Sequence, residues 1–144
     1  MKLVKILFLL FIFLLSCQSK EKKARIFIQK HTEEIAPITK EMNLSYWEAT
    51  AKGDEKLYKK YADLELKLRK IYKRKEEFEF LKEIKDSKDI KDPEIKRQIE
   101  LLYSEYFGNQ IDEKLLEKIV KLSSEIEGKF NTFRGEFEGQ RVPD

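Results

Sequence analysis

The stretch EKLYKKYADLELKLRKIYK, residues 55–73, decides the fold. Its apolar residues Leu57, Tyr61, Leu64, Leu68 and Ile71 return every four or three positions, and most of the residues between them are charged. That spacing follows the 3.6-residue turn of an α-helix and draws one apolar stripe along an otherwise charged rod. Just upstream, Gly53-Asp54 supplies a stop and a restart. Glycine suits the left-handed residue past a helix end, and aspartate caps the helix that follows. Residues 24–51 before it read as one long helix, with a kink expected near Glu33–Ala36 because Pro37 removes a backbone donor and clashes with the preceding turn. Two helices joined by so short a turn pack as an antiparallel hairpin.

The same reading carries down the chain. Residues 76–85 predict a third helix with Phe78, Leu81 and Ile84 inward, followed by the polar connection Asp86-Ser87-Lys88-Asp89. Asp92-Pro93-Glu94 is the strongest helix start: a capping aspartate, proline at the first helical position and an acid in the first turn. The helix it opens shows Ile95, Ile99, Leu102 and Tyr106 on one face and ends near Gly108-Asn109. Asp112 caps the last helix, whose pattern is Leu115, Ile119, Leu122, Ile126, Phe130, Phe133 and Phe137; Gly128, Gly135 and Gly139 lie within or at the end of it, where they either permit close packing or let the helix fray. No stretch reads as a strand and no repeat is found. The expectation is an all-α, elongated bundle of about five helices built from antiparallel hairpins.

Composition agrees. Of 144 residues, 40% are charged, 41% hydrophobic and 12% aromatic, too apolar for a disordered tail. Glycine and proline are scarce, and Lys, Glu, Leu and Ile dominate, as in helical proteins. The formal charge is only +3, and without Lys2 and Lys5 the chain holds 28 basic residues against 27 acidic. So even a balance argues against a nucleic-acid partner, which needs a concentrated basic face.

The first 16 residues differ from all the rest. Lys2 and Lys5 precede an unbroken apolar run, Ile6 to Leu15, then Ser16 and Cys17, the only cysteine. The run is too short for a membrane span of about 20 residues and reads as a secretory signal. Leu14-Leu15-Ser16-Cys17 resembles the lipobox of a bacterial lipoprotein signal. That resemblance implies a diacylglycerol thioether on Cys17, cleavage in front of it and further acylation by a fatty acid such as palmitate. A lone cysteine leaves no internal disulfide. Two or more acyl chains give stable anchoring without a span. The expected order is a signal peptide at 1–16, lipidated Cys17 with a tether to residue 24, and a helical domain at 25–144. The protein would then sit at a membrane of the cell envelope. Gln18 stands where an aspartate would resemble inner-membrane retention, so the outer membrane is expected where there are two.

Catalytic and metal-binding residues do not emerge. His31 is the single histidine, expected on an exposed helix face, and there is no His-Glu-x-x-His helix for zinc. There is no Gly-x-Ser-x-Gly elbow and no Gly-rich phosphate loop. The pairs Glu33-Glu34, Glu76-Glu77 and Glu125/Glu127 read as solvated faces without an apolar pocket to shift them. Aromatic residues say more. Tyr46, Trp47, Tyr103, Tyr106, Phe107, Phe130, Phe133 and Phe137 are either core residues or contacts for another domain or partner, since small monomers seldom leave large apolar patches open.

Several segments together resemble a known family. Asn43-Leu44-Ser45-Tyr46-Trp47-Glu48-Ala49 with Gly53-Asp54-Glu55, Leu101-Leu102-Tyr103 with Tyr106-Phe107-Gly108-Asn109-Gln110, and Ile126-Glu127 with Phe130-Asn131-Thr132-Phe133-Arg134 are similar to the N-terminal helical region of angiotensin-converting-enzyme-like zinc metallopeptidases, relatives of the oligoendopeptidases. The similarity spans roughly residues 25–144. It implies an almost wholly helical, lid-like part over a substrate channel. The family's zinc helix lies downstream of everything matched, so no catalytic or zinc-binding residue carries over and the cofactor belongs to a part not present here. Three readings follow: an N-terminal part of such a peptidase, incomplete alone, with the stop at Asp144 suggesting truncation; one half of a split enzyme that docks a separate zinc-bearing chain or a peptide; or a stand-alone binding or structural lipoprotein. The last expects Trp47 and Phe133 buried.

Overall fold

A computed structural model describes residues 19–133 and 135–141. It is all-α apart from one small hairpin. Five helices follow in order: α1 (Lys20–Lys52), α2 (Glu55–Tyr72), α3 (Lys75–Lys85), α4 (Pro93–Gly108) and α5 (Glu113–Thr132). Residues Glu136–Phe137 and Gln140–Arg141 then pair antiparallel as a two-residue ladder.

Four of the five helices begin where a polar side chain takes a free backbone N–H; α3, which follows Arg74, has no side-chain cap. Ser19 Oγ accepts from the Lys22 amide at 3.2 Å, Asp54 from Lys56 at 2.8 Å, Asp92 from Glu94 at 2.9 Å and Asp112 from Leu115 at 3.1 Å. The first cap differs from expectation. Ser19 starts the helix at Lys20, so most of the stretch read as a tether is helical, and Ala24 is already core. Helix α1 runs through Pro37 as one element, its 33 residues spanning about 50 Å.

That length makes α1 a spine. Helix α2 returns antiparallel along it, with Lys60 pairing Glu41 at 2.9 Å and Tyr61 against Tyr46. Helix α5 packs antiparallel on α2, tied by Lys70 to Glu113 at 2.8 Å and by the Ser124 hydroxyl donating to the Tyr58 carbonyl at 3.1 Å. Helices α3 and α4 form a second hairpin that closes on the first half of α1. The core there is Ala24, Leu81, Ile84, Ile95, Ile99 and Tyr106, flanked by Phe27, Phe78 and Tyr103. The two helix N-termini are clamped: Glu21 accepts the Lys91 and Asp92 amides at 3.0 and 3.2 Å, and Arg25 bridges Glu21 and Asp92.

Gly53 is the turn's requirement. Its φ is +62°, and its N–H donates to the Ala49 carbonyl at 2.8 Å. A Cβ there would meet Thr132 at an ordinary 3.6 Å, so backbone strain alone is the cost. Gly53→Ala is expected to lose about 1–2 kcal/mol of stability. Gly108→Ala, at an open helical position with nothing within 4 Å, should instead gain up to about 1 kcal/mol. Urea midpoints of the two variants check the pair; similar shifts would remove the left-handed cap as the explanation.

Candidate functional site

Helix α5 carries two faces of opposite fate. Leu116, Val120 and Ser124 are buried against the bundle. Leu115 and Ile119, one position before the first two of these, and Leu122, Ile126 and Phe130 further along all face solvent. Ile126 is 66% exposed and Phe130 82%, and Phe133, at the helix end, 73%. The apolar pattern read from the sequence is therefore real but turned outward for four turns. The helix stops before Gly135, as one fraying at the glycines would. The helix ends at Thr132, where Phe133 turns extended before Gly135 and the small hairpin, so Phe133 and Phe137 are not helical. The side chain of Phe137 lies outside the described residues, as does Cys17.

The other aromatic positions divide. Trp47 is 66% exposed on the outer side of α1 beside exposed Leu44, while Tyr46 rests on Tyr61 with ring centroids 5.1 Å apart. Phe107 is exposed but stacks on Tyr103 at 6.0 Å, and Tyr103 stacks on Phe78 at 5.5 Å. Tyr106 is fully buried. The eight candidates thus do not form one surface. Phe130 and Phe133 continue the α5 face, Trp47 stands on another helix, and Tyr106 belongs to the core.

Tyr106 leads to a polar chain that the sequence reading missed. His31, expected exposed, is 4% exposed, between Phe27, Tyr72 and Tyr106. Its Nδ1 lies 3.2 Å from the Tyr106 hydroxyl, which also bonds Glu77. Glu77 accepts from Arg74 at 3.1 Å, and Arg74 makes a two-pronged bond to Glu34 at 2.5 and 2.8 Å. The Arg74 guanidinium holds the Glu34 carboxyl below its ordinary value. The phenol has one proton, and the arginine-paired Glu77 carboxylate takes it. His31 must then donate its Nδ1–H to the Tyr106 oxygen, leaving Nε2 as a bare acceptor with no hydrogen-bond partner among the described residues. Burial pushes the imidazole below its ordinary value, Glu77 and Glu34 pull it back, and Arg74 adds to the lowering.

Glu77 is therefore not a merely solvated acid, and neither is Glu127. Half-buried, Glu127 is pushed up by loss of water and then by the charge of Glu65. Spacing alone had no means of showing either.

A groove of about 550 Å³ runs between α2 and α5 over Tyr58, Ala62, Leu66 and Val120. Its rim alternates Lys59, Lys121 and Lys129 with Asp63, Glu117 and Glu125, and its Ser124 hydroxyl is already bonded. Nothing in it selects a reaction. The donor set does not fit the zinc of the resembled family. Among the described residues no three of His, Cys, Asp and Glu gather as metal ligands, and His31 Nδ1 is committed to Tyr106. Nor is any described helix long and apolar enough to cross a membrane.

No protein-family model, curated protein or solved structure matches the chain.

Proposed function

We propose that the protein is a lipoprotein of the bacterial envelope, anchored through Cys17. Its helical domain is the lid-like N-terminal part of a zinc-peptidase-like protein and is catalytically incomplete alone. The open face of α5 is the observation that carries this reading. A ladder of Leu115, Ile119, Leu122, Ile126 and Phe130 is a surface a small monomer seldom leaves uncovered. It ends on the Phe130-Asn131-Thr132-Phe133 segment that resembles the peptidase family. The catalytic part covers this face, whether on the same polypeptide or on a separate chain. A stand-alone lipoprotein with a closed core is the weaker reading, because Trp47 and Phe133 are largely exposed.

The DNA after codon 144, read in all frames, tests the peptidase reading. A frame encoding His-Glu-x-x-His supports it and tells one polypeptide from two; unrelated sequence in every frame sinks it. Chelator-sensitive peptide cleavage by the purified chain alone would equally sink the claim that it is incomplete. The anchor has its own test. Labelled palmitate should enter the wild-type protein and not Cys17→Ser, and equal labelling of both would remove the lipid from Cys17.

A further inference from the structure

We propose that His31, Tyr106 and Glu77 form an acid-sensitive latch between α1 and the α3–α4 hairpin, closed while His31 is neutral and released when its ring takes a second proton. The three side chains come from three elements: His31 from α1, Glu77 from α3 and Tyr106 from α4. They meet beside the apolar core that holds the first half of α1 to that hairpin, about two to three helical turns along α1 from the Arg25 and Glu21 clamp. The bonds run one way. His31 donates to Tyr106, and Tyr106 donates to Glu77, which Arg74 holds in place together with Glu34. Every donor on this path has an acceptor, and the Nε2 lone pair is the single idle position.

A second proton would go to Nε2, in the buried part of the ring. The rings around His31 are Phe27, Tyr72 and Tyr106, and Nε2 has no acceptor within reach. A cationic N–H donor without a partner in such a place is strongly disfavoured. The charged groups facing the ring are Glu34 from α1, Arg74 from the α2–α3 turn and Glu77 from α3; Tyr72 and Tyr106 face it from α2 and α4, and Glu105 acts on Tyr72. Both carboxylates are already paired with Arg74, which blunts their support for an imidazolium.

The sign follows from burial. In the unfolded chain the imidazole titrates near its ordinary value of about 6.5. In the closed latch it titrates lower, because burial outweighs the two acids. The open or unfolded state therefore binds the proton first as pH falls. The latch is at full strength above about pH 6.5 and weakens as pH drops from there toward the folded value, by up to about tenfold per pH unit. The second half of α1, together with α2 and α5, holds no histidine, so opening is local to the first half of α1 and the α3–α4 hairpin.

His31 is the only histidine, so its ring gives a single resonance in the full chain held in detergent micelles. The expected result is a titration midpoint below about 6.5, with amide exchange at residues 24–31 and 99–106, corrected for the intrinsic rate, rising by up to about tenfold per pH unit from about pH 6.5 down to that midpoint and levelling off below it, while residues 40–49 stay unchanged. His31→Asn keeps a donor toward Tyr106 but cannot titrate, so the acid step should vanish. A midpoint at or above the ordinary histidine value overturns the latch, and so does an acid step that persists in His31→Asn. Should that variant not fold, the wild-type titration and exchange profile decide alone.

Discussion

Tyr106→Ala is expected to leave the protein largely unfolded at room temperature, whereas Tyr106→Phe should fold with reduced stability. Tyr106 has the largest of the fully buried side chains, and its ring touches Phe27, His31 and Tyr72. Truncating a buried aromatic ring to alanine costs about 3–5 kcal/mol. Removing the hydroxyl also strands the His31 Nδ1–H and one Glu77 oxygen, each buried or part-buried, for about 1–3 kcal/mol more. Domains of this size have about 5–15 kcal/mol in all, so the sum reaches the lower end of that range. The phenylalanine variant separates the two effects: it keeps the ring and loses only the bonds. Denaturation by urea, followed by far-ultraviolet circular dichroism, checks both. If alanine and phenylalanine cost the same, the bonds outweigh the ring; if phenylalanine costs nothing, the polar chain through His31 is slack.

Much of this architecture is legible in residue spacing, because local rules and tertiary demands agree there. Asp54, Asp92 and Asp112 cap where capping chemistry places them, and Phe78, Leu81, Ile84, Ile95, Ile99, Leu102 and Tyr106 face inward as their period requires. Helix α5 shows where the rule stops. Period 3.6 tells that an apolar face exists but not whether this chain covers it. The contacts that bury α5 come from Leu116 and Val120, one step around the helix, and from small residues at 124 and 128 that let α2 approach. At its C-terminal end spacing leaves two outcomes open, close packing at the glycines or a frayed helix, and the helix stops at Thr132. Phe133 and Phe137 kept an apolar rhythm beyond Thr132, but two glycines and an extended Phe133 make a hairpin cheaper there than another helical turn.

His31 was illegible for a different reason. A lone histidine among Gln29, Lys30, Thr32 and Glu33 looks solvated, and only the fold brings Tyr106, 75 positions away, to its Nδ1. Burial of a polar group depends on its partner, and partners distant in sequence leave no local mark. The same holds for Glu77, which spacing grouped with Glu76. One faces the Tyr106 hydroxyl, and its neighbour, 100° around the helix, faces water.

The docking face makes the second large prediction. Ile126→Asp combined with Phe130→Asp should leave the melting temperature of the isolated chain within about 2–4 °C of wild type, because both side chains already sit in water and exposed substitutions stay within about ±0.5 kcal/mol. On the proposed function, binding to the catalytic part should fall by a thousandfold or more. Two carboxylates pressed into a closed apolar contact without partners cost several kcal/mol, and every 1.4 kcal/mol is a factor of ten. Val120→Asp is the control on the buried face of the same helix: it should destabilise the chain itself, since Val120 is only 3% exposed. The contrast turns on a rotation around one helix and not on composition. Calorimetric melting of the three proteins, with titration against the catalytic part that the proposed function calls for, reads both effects. A double variant that melts far below wild type would mean the stripe already serves this fold. Undiminished binding would place the docking contact elsewhere, with Trp47 and Leu44 on α1 the next surface to change.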